Sequence, residues 1–267
     1  MALCLAESLV EKRGFDPKDQ MDRYCRWWQE GYLSSTGTCF DIGVTVRKSL
    51  ESYLRTGEPF VGPTDPLTAG NGSLMRLAPV PLAFRRNKAL AIQIAGESSR
   101  TTHGAASAVD ACRYFAGLLL GALGGRSKEE ILSPFFWPGP DADYWQRHSL
   151  SSAIAEIANG SFKQKEPPEI IGSGFVVRSL EAALWAFHRS DSFWEGALRA
   201  VNLGNDADTT GAIYGQLAGA YYAVDAIPPH WMERLALREL ISEKAGALFE
   251  FSNERGSHLK NTGPIAF

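Results

Sequence analysis

Apolar residues recur at helical spacing along most of the chain, and the alternation that marks strands is nearly absent. Leu3, Leu5 and Leu9 against Glu7, Glu11 and Lys12 predict a helix over 1–12 with nothing ahead of it to cap it. Asp16 followed by Pro17 predicts an N-cap and first helical position, opening a helix through Tyr24, Trp27 and Trp28 that stops near Gly31. The pattern then predicts helices over 41–54 (ending at Gly57), 73–84, 88–98, 105–123, 128–132, 142–157, 174–188, 192–201, 208–224 and 229–249. Loops fall at 34–38, 58–72, 133–143 and 163–168, where Gly, Pro and small polar residues gather. The fold class expected is all-α, a compact orthogonal multi-helix bundle. A single domain over 1–251 is expected, followed by a polar, poorly ordered tail over 252–267.

Composition narrows the partners. With 27 basic and 30 acidic residues, a net charge of -3 gives no basic excess to attract phosphate backbones or anionic lipid. Neither nucleic acid nor a membrane surface is expected, and no stretch is read as approaching the 18 or so apolar residues of a membrane span. Cys4, Cys25, Cys39 and Cys112 lie in apolar or aromatic settings without CxxC pairing, which fits a reducing cytoplasm. A cytoplasmic monomer is the expectation. No P-loop, HExxH or GxSxG is present, which removes the commonest nucleoside-triphosphate, zinc-protease and serine-hydrolase chemistries.

Five short segments carry candidate chemistry. Val201-Asn-Leu-Gly-Asn-Asp-Ala-Asp-Thr-Thr210 places Asp206, Asp208 and Thr209 at a turn that opens a helix. Carboxylate and hydroxyl oxygens suit Mg²⁺, Mn²⁺ or Ca²⁺ better than zinc, while simple helix capping is the plainer alternative. Ala69-Gly-Asn-Gly-Ser-Leu-Met-Arg76 offers free backbone N–H groups at a helix start, an anion-binding pattern that ordinary turn chemistry also produces. Ser98-Ser-Arg-Thr-Thr-His-Gly104 gathers hydroxyls, a guanidinium and a histidine suited to ribose and phosphate. Gly172-Ser-Gly-Phe175 presents an aromatic at a helix start, and Asp41 sits where an N-cap is expected. Gly211, Gly215 and Gly219, four apart on one helix, predict a groove for close approach of another helix.

Taken in order, Phe40-Asp-Ile-Gly, Ala69-Gly-Asn-Gly-Ser-Leu-Met-Arg, Thr101-Thr-His, Ser173-Gly-Phe-Val-Val and the Asp-Ala-Asp-Thr-Thr-Gly block resemble the ADP-ribosylglycohydrolase family, over residues 1 to about 231. The resemblance implies an all-α hydrolase that removes ADP-ribose from ADP-ribosylated protein, arginine-linked, or from a small ADP-ribose conjugate. It implies a pair of Mg²⁺ or Mn²⁺ ions with Asp206, Asp208 and Thr209 supplying half of the ligand set. It also places Asp41 near the reactive water, with Asn71, Gly72, Ser73, Met75, His103, Ser173, Gly174 and Phe175 around the ADP-ribose. Phe175 stands where related sequences often have tyrosine. The family's N-terminal Gly-Asp block and its Thr-Asp-Asp-Thr metal motif fall before the first residue here, so the expectation is an N-terminally truncated chain with weak or no hydrolysis. The alternative is a catalytically inactive ADP-ribose-binding module.

Overall fold

The computed structural model describes residues 1–258, and among them fourteen α-helices form the fold. In order these are α1 (Ala2–Glu11), α2 (Pro17–Glu30), α3 (Val44–Thr56), α4 (Pro79–Phe84), α5 (Lys88–Arg100), α6 (Ala106–Leu123) and α7 (Lys128–Ile131). There follow α8 (Tyr144–Arg147), α9 (Ser152–Ala158), α10 (Val176–His188), α11 (Phe193–Val201), α12 (Ala207–Tyr222), α13 (Pro229–Met232) and α14 (Arg238–His258). The described residues contain no strand beyond one isolated bridge between Gly70 and Phe175, so the all-α expectation holds.

Local chemistry explains the best-predicted boundaries. Asp16 Oδ1 accepts from the Lys18 and Asp19 N–H groups, both at 3.0 Å, Pro17 fills the first helical position, and Gly31 ends α2 in the left-handed region at φ 70°. No side chain caps α1. Three expected helices are broken instead. The 73–84 stretch becomes a 3₁₀ turn over Leu74–Arg76 and then α4, because Pro79, which has no N–H to donate, starts a new helix. Residues 142–157 split into α8 and α9 because α6 claims the connecting backbone: Arg113 donates to the His148 carbonyl at 2.9 Å and Ser151 N–H donates to Asp110 at 2.7 Å. Between α13 and α14 the break falls before Leu237, whose φ of 58° is left-handed. Helix α14 then runs past the boundary expected at Ser252, which is itself buried, and the remainder of the expected tail, 259–267, lies outside the described residues.

Helix α6 is the axis of the core, packed by α4, α5, α10 and α12. It corrects the expectation that no stretch approaches a membrane span: its 18 residues are long and apolar enough to cross one, at mean hydropathy 1.3. Because 72% of that stretch is buried inside the protein, its apolarity is that of a core helix. On the flank, α14 lies against α1 and α4. Phe84 and Phe251 meet edge to face there, and Lys244 reaches Glu7 at 3.2 Å. Glu7 also pairs with Arg23 of α2, which holds Asp19 and Glu11 as well.

The expected glycine groove on α12 does not form. Its core face is Thr210, Ile213, Tyr214, Leu217 and Ala218, and that stripe turns Gly215 and Gly219 to positions where an added Cβ would meet nothing. Gly211 meets only the Val201 side chain. The tight approach between α11 and α12 is made by Gly196 of α11, where any Cβ would overlap the Tyr214 hydroxyl.

Candidate active site

Two glycine-bearing loops meet at the start of α10. Gly70 bridges Phe175, Asn71 N–H donates to the Gly174 carbonyl at 3.0 Å, and Val176 N–H donates to the Ala69 carbonyl at 2.9 Å. This pairing turns the Asn71 side chain inward, where its amide faces three acceptors: the Ser173 carbonyl at 3.0 Å, Ser179 Oγ at 2.8 Å and Asp206 Oδ2 at 2.7 Å. One buried amide therefore joins the 69–76 loop, the start of α10 and the start of α12. The Gly72 and Ser73 N–H groups donate to no acceptor among the described residues.

Beneath this loop lies His103, 2% exposed. An added Cβ on Gly72 would stand 2.9 Å from its Cε1 and 3.1 Å from Nε2, and one on Gly70 3.3 Å from Nε2. Glycine is thus required at position 72 because the imidazole occupies the space a side chain needs. Burial, and then the nearby Arg76 guanidinium, lower the His103 pKa to about 3, so the ring is neutral at pH 7. Ser99 Oγ ties the floor together, 2.8 Å from Ser73 Oγ and 2.9 Å from the His103 carbonyl.

At the start of α12, Asp206 Oδ1 accepts from Thr209 Oγ1 at 3.1 Å, while its carbonyl accepts both the Thr210 N–H (3.0 Å) and hydroxyl (2.9 Å). Asp208 is exposed, and its carboxylate has no partner among the described residues. Two carboxylates and a hydroxyl accordingly share one helical turn. Asp206 does stand at the N-cap of α12, although its side chain makes no capping bond; both carboxylate oxygens face sideways, to Asn71 and Thr209.

A sequence model described as ADP-ribosylglycohydrolase matches residues 1–257. The chain belongs to the ADP-ribosylglycohydrolase family. It is 41% identical over 250 residues to a protein named ADP-ribosylarginine hydrolase Tri1 from Pseudomonas putida (strain GB-1), covering 94% of this chain and 64% of that one. The protein of the same name from Serratia proteamaculans (strain 568) is 37% identical over 254 residues, covering 95% and 66%. The chain thus spans just under two thirds of the length of these two relatives. A solved structure titled ADP-ribosylglycohydrolase-related protein complex superposes with a TM-score of 0.79 at 46% identity, covering 94% of this chain and 79% of that one.

Against the ADP-ribosylglycohydrolase pattern, the structure brings Asn71, Gly72, Ser73, His103, Ser173, Gly174, Asp206 and Thr209 into one connected cluster. Phe175, 40% exposed, and Met75, 38% exposed, show apolar faces beside it, and Phe175 N–H closes the loop by donating to Ser173 Oγ at 3.1 Å. Asp41 is not the N-cap expected; Gly43 holds that position, because α3 starts only at Val44. Asp41 sits exposed in the loop ahead, with no side-chain bond to the cluster, while α3 itself reaches the cluster through Val46, against Gly72, and Ser49, bonded to the Thr102 carbonyl at 3.0 Å.

The family is generally metal-dependent. Asp206, Asp208 and Thr209 fit a hard divalent cation by donor chemistry, since all three offer oxygen and no cysteine or histidine joins them. They make one side of such a site: among the described residues no three His, Cys, Asp or Glu side chains are grouped to hold an ion. Sequence reasoning passed over Ser179 and the Arg76–Thr102 pair. Ser179 carried a readable signal, as a hydroxyl on the buried stripe of α10 between Val176 and Leu180.

Proposed function

We propose that this chain recognises ADP-ribose and hydrolyses its bond to arginine on ADP-ribosylated protein. The reading is carried by the 2.7 Å link between Asn71 and Asp206, which couples a loop with free N–H groups to a turn of hard oxygen donors. Relatives named ADP-ribosylarginine hydrolase, at 41% and 37% identity, support the linkage.

In this reading the free Gly72 and Ser73 N–H groups bind ligand oxygen, the exposed face of Phe175 stacks on a ring, and Asp206 is fixed by Asn71. The unpartnered carboxylate of Asp41 accepts a proton from the attacking water. Asp206, Asp208 and Thr209 would hold Mg²⁺ or Mn²⁺, which when bound polarises ribose hydroxyls and orients water. A neutral His103 donates a hydrogen bond and carries no charge to the reaction. Four unpaired cysteines, three of them buried, support a reducing, cytoplasmic setting.

The test is thermal unfolding with ADP-ribose, Mg²⁺, both or neither, beside release of ADP-ribose from ADP-ribosylated arginine. A stabilisation that needs both ligands and is lost in Asp206→Ala is expected, with turnover that is slow because Asp206, Asp208 and Thr209 make only one side of a metal site. Absence of any ligand effect would overturn the reading. A second reading, binding without turnover, is favoured by the lack of a grouped set of three acidic ligands among the described residues. Stabilisation by ADP-ribose alone, with no release, selects it.

A further inference from the structure

Arg76 is 3% exposed, and its guanidinium places NH2 2.7 Å from Thr102 Oγ1 and NH1 3.3 Å from the Gly72 carbonyl, with Cζ 4.6 Å from the Tyr24 ring centroid. Thr102 is fully buried, and its hydroxyl lies 2.8 Å from His103 Nδ1. A guanidinium only donates, so Thr102 Oγ1 is an acceptor toward Arg76. The hydroxyl proton then needs an acceptor of its own, and among the described residues His103 Nδ1 is the sole candidate within reach. With Nδ1 protonated instead, the Thr102 oxygen would accept twice and its proton would be buried without a partner, which is unfavourable.

We propose that Arg76 and Thr102 are positioning residues that hold His103 as the Nε2–H tautomer, so that the ring beneath Gly70 and Gly72 always presents a hydrogen-bond donor and never an acceptor. Nε2 has no protein partner among the described residues, although the ring is 2% exposed. That unpartnered donor takes an acceptor oxygen of the ligand, a phosphate or carbonyl oxygen, and rejects an N–H group in the same place. The low His103 pKa agrees, since burial, and then the neighbouring Arg76 cation, oppose a proton on both nitrogens. The tautomer itself follows from protein contacts alone; only the ligand's contact rests on the ADP-ribose reading.

The experiment is two-bond ¹H–¹⁵N correlation of the histidine rings at pH 7 in the 267-residue protein, with His103 assigned through His103→Gln. Wild type is expected to show His103 solely in the Nε2–H form. Thr102→Val should mix the two tautomers and weaken ADP-ribose binding about tenfold, about 1.4 kcal/mol, the scale of one lost hydrogen bond. Thr102→Ser should restore both the signature and the affinity, which a purely packing role for the threonine methyl would not. An Nδ1–H or doubly protonated ring in wild type overturns the proposal, whether or not the valine variant folds. The stated tautomer without ADP-ribose binding would sustain the lock and overturn the proposed function.

Discussion

Asn71 is the residue on which the site depends. Its two amide hydrogens serve three acceptors, one of them the Asp206 carboxylate. Asn71→Ala strands a buried carbonyl and loosens Asp206, and a loss of about 2–3 kcal/mol is expected in chemical denaturation. Asn71→Asp keeps the shape but sets a carboxylate against Asp206 Oδ2, so it should cost more at pH 7 than alanine does, and the difference should shrink on acidification. An aspartate variant as stable as wild type would remove Asn71 from this role. The Gly-Asn-Gly signal was legible because loop chemistry is local. Ser179, 108 positions from Asn71, and Thr102, 26 from Arg76, were not legible as partners, since nothing in a linear pattern pairs them.

Among the elements, helix existence followed from hydrophobic period and capping, while breaks followed from distant anchors. Asp110 and Arg113 lie on α6, yet they decide where α8 ends and α9 begins. The glycines of α12 show the same limit: spacing of four implied a packing groove, but the helix was rotated by its apolar stripe. With open space at both positions, Gly215→Ala and Gly219→Ala should each stabilise the protein by about 0.5–1 kcal/mol. Gly196→Ala should instead destabilise by about 1–3 kcal/mol through its clash with Tyr214. Calorimetric melting temperatures distinguish the two outcomes, and a loss at position 215 or 219 would restore the groove.

For the whole molecule, acid should act at two places in the same direction. His103 is held far below the ordinary histidine value, so between about pH 6.5 and 3 the unfolded chain binds the extra proton and stability falls as pH falls. Glu7 loses solvent on burial, which opposes ionisation, but the Tyr32 hydroxyl, Lys244 and Arg23 outweigh that and lower its pKa. Its contribution is present above the unfolded carboxylate value and is lost as pH drops through the folded one. Glu7→Gln should therefore flatten only the limb below about pH 4.5, and His103→Gln the whole limb between about pH 6.5 and 3, in unfolding free energies measured against pH. Identical slopes in wild type and both variants would contradict this account.

The Asn71–Asp206 bond closes 135 positions of chain. A contact of that span is expected to form late, after the intervening helices have condensed, since the loop-closure cost precedes any reward. On this expectation the site is a product of folding rather than a seed for it. A ligand seated there should therefore slow unfolding and leave the refolding rate unchanged, which stopped-flow unfolding and refolding with and without ADP-ribose would check.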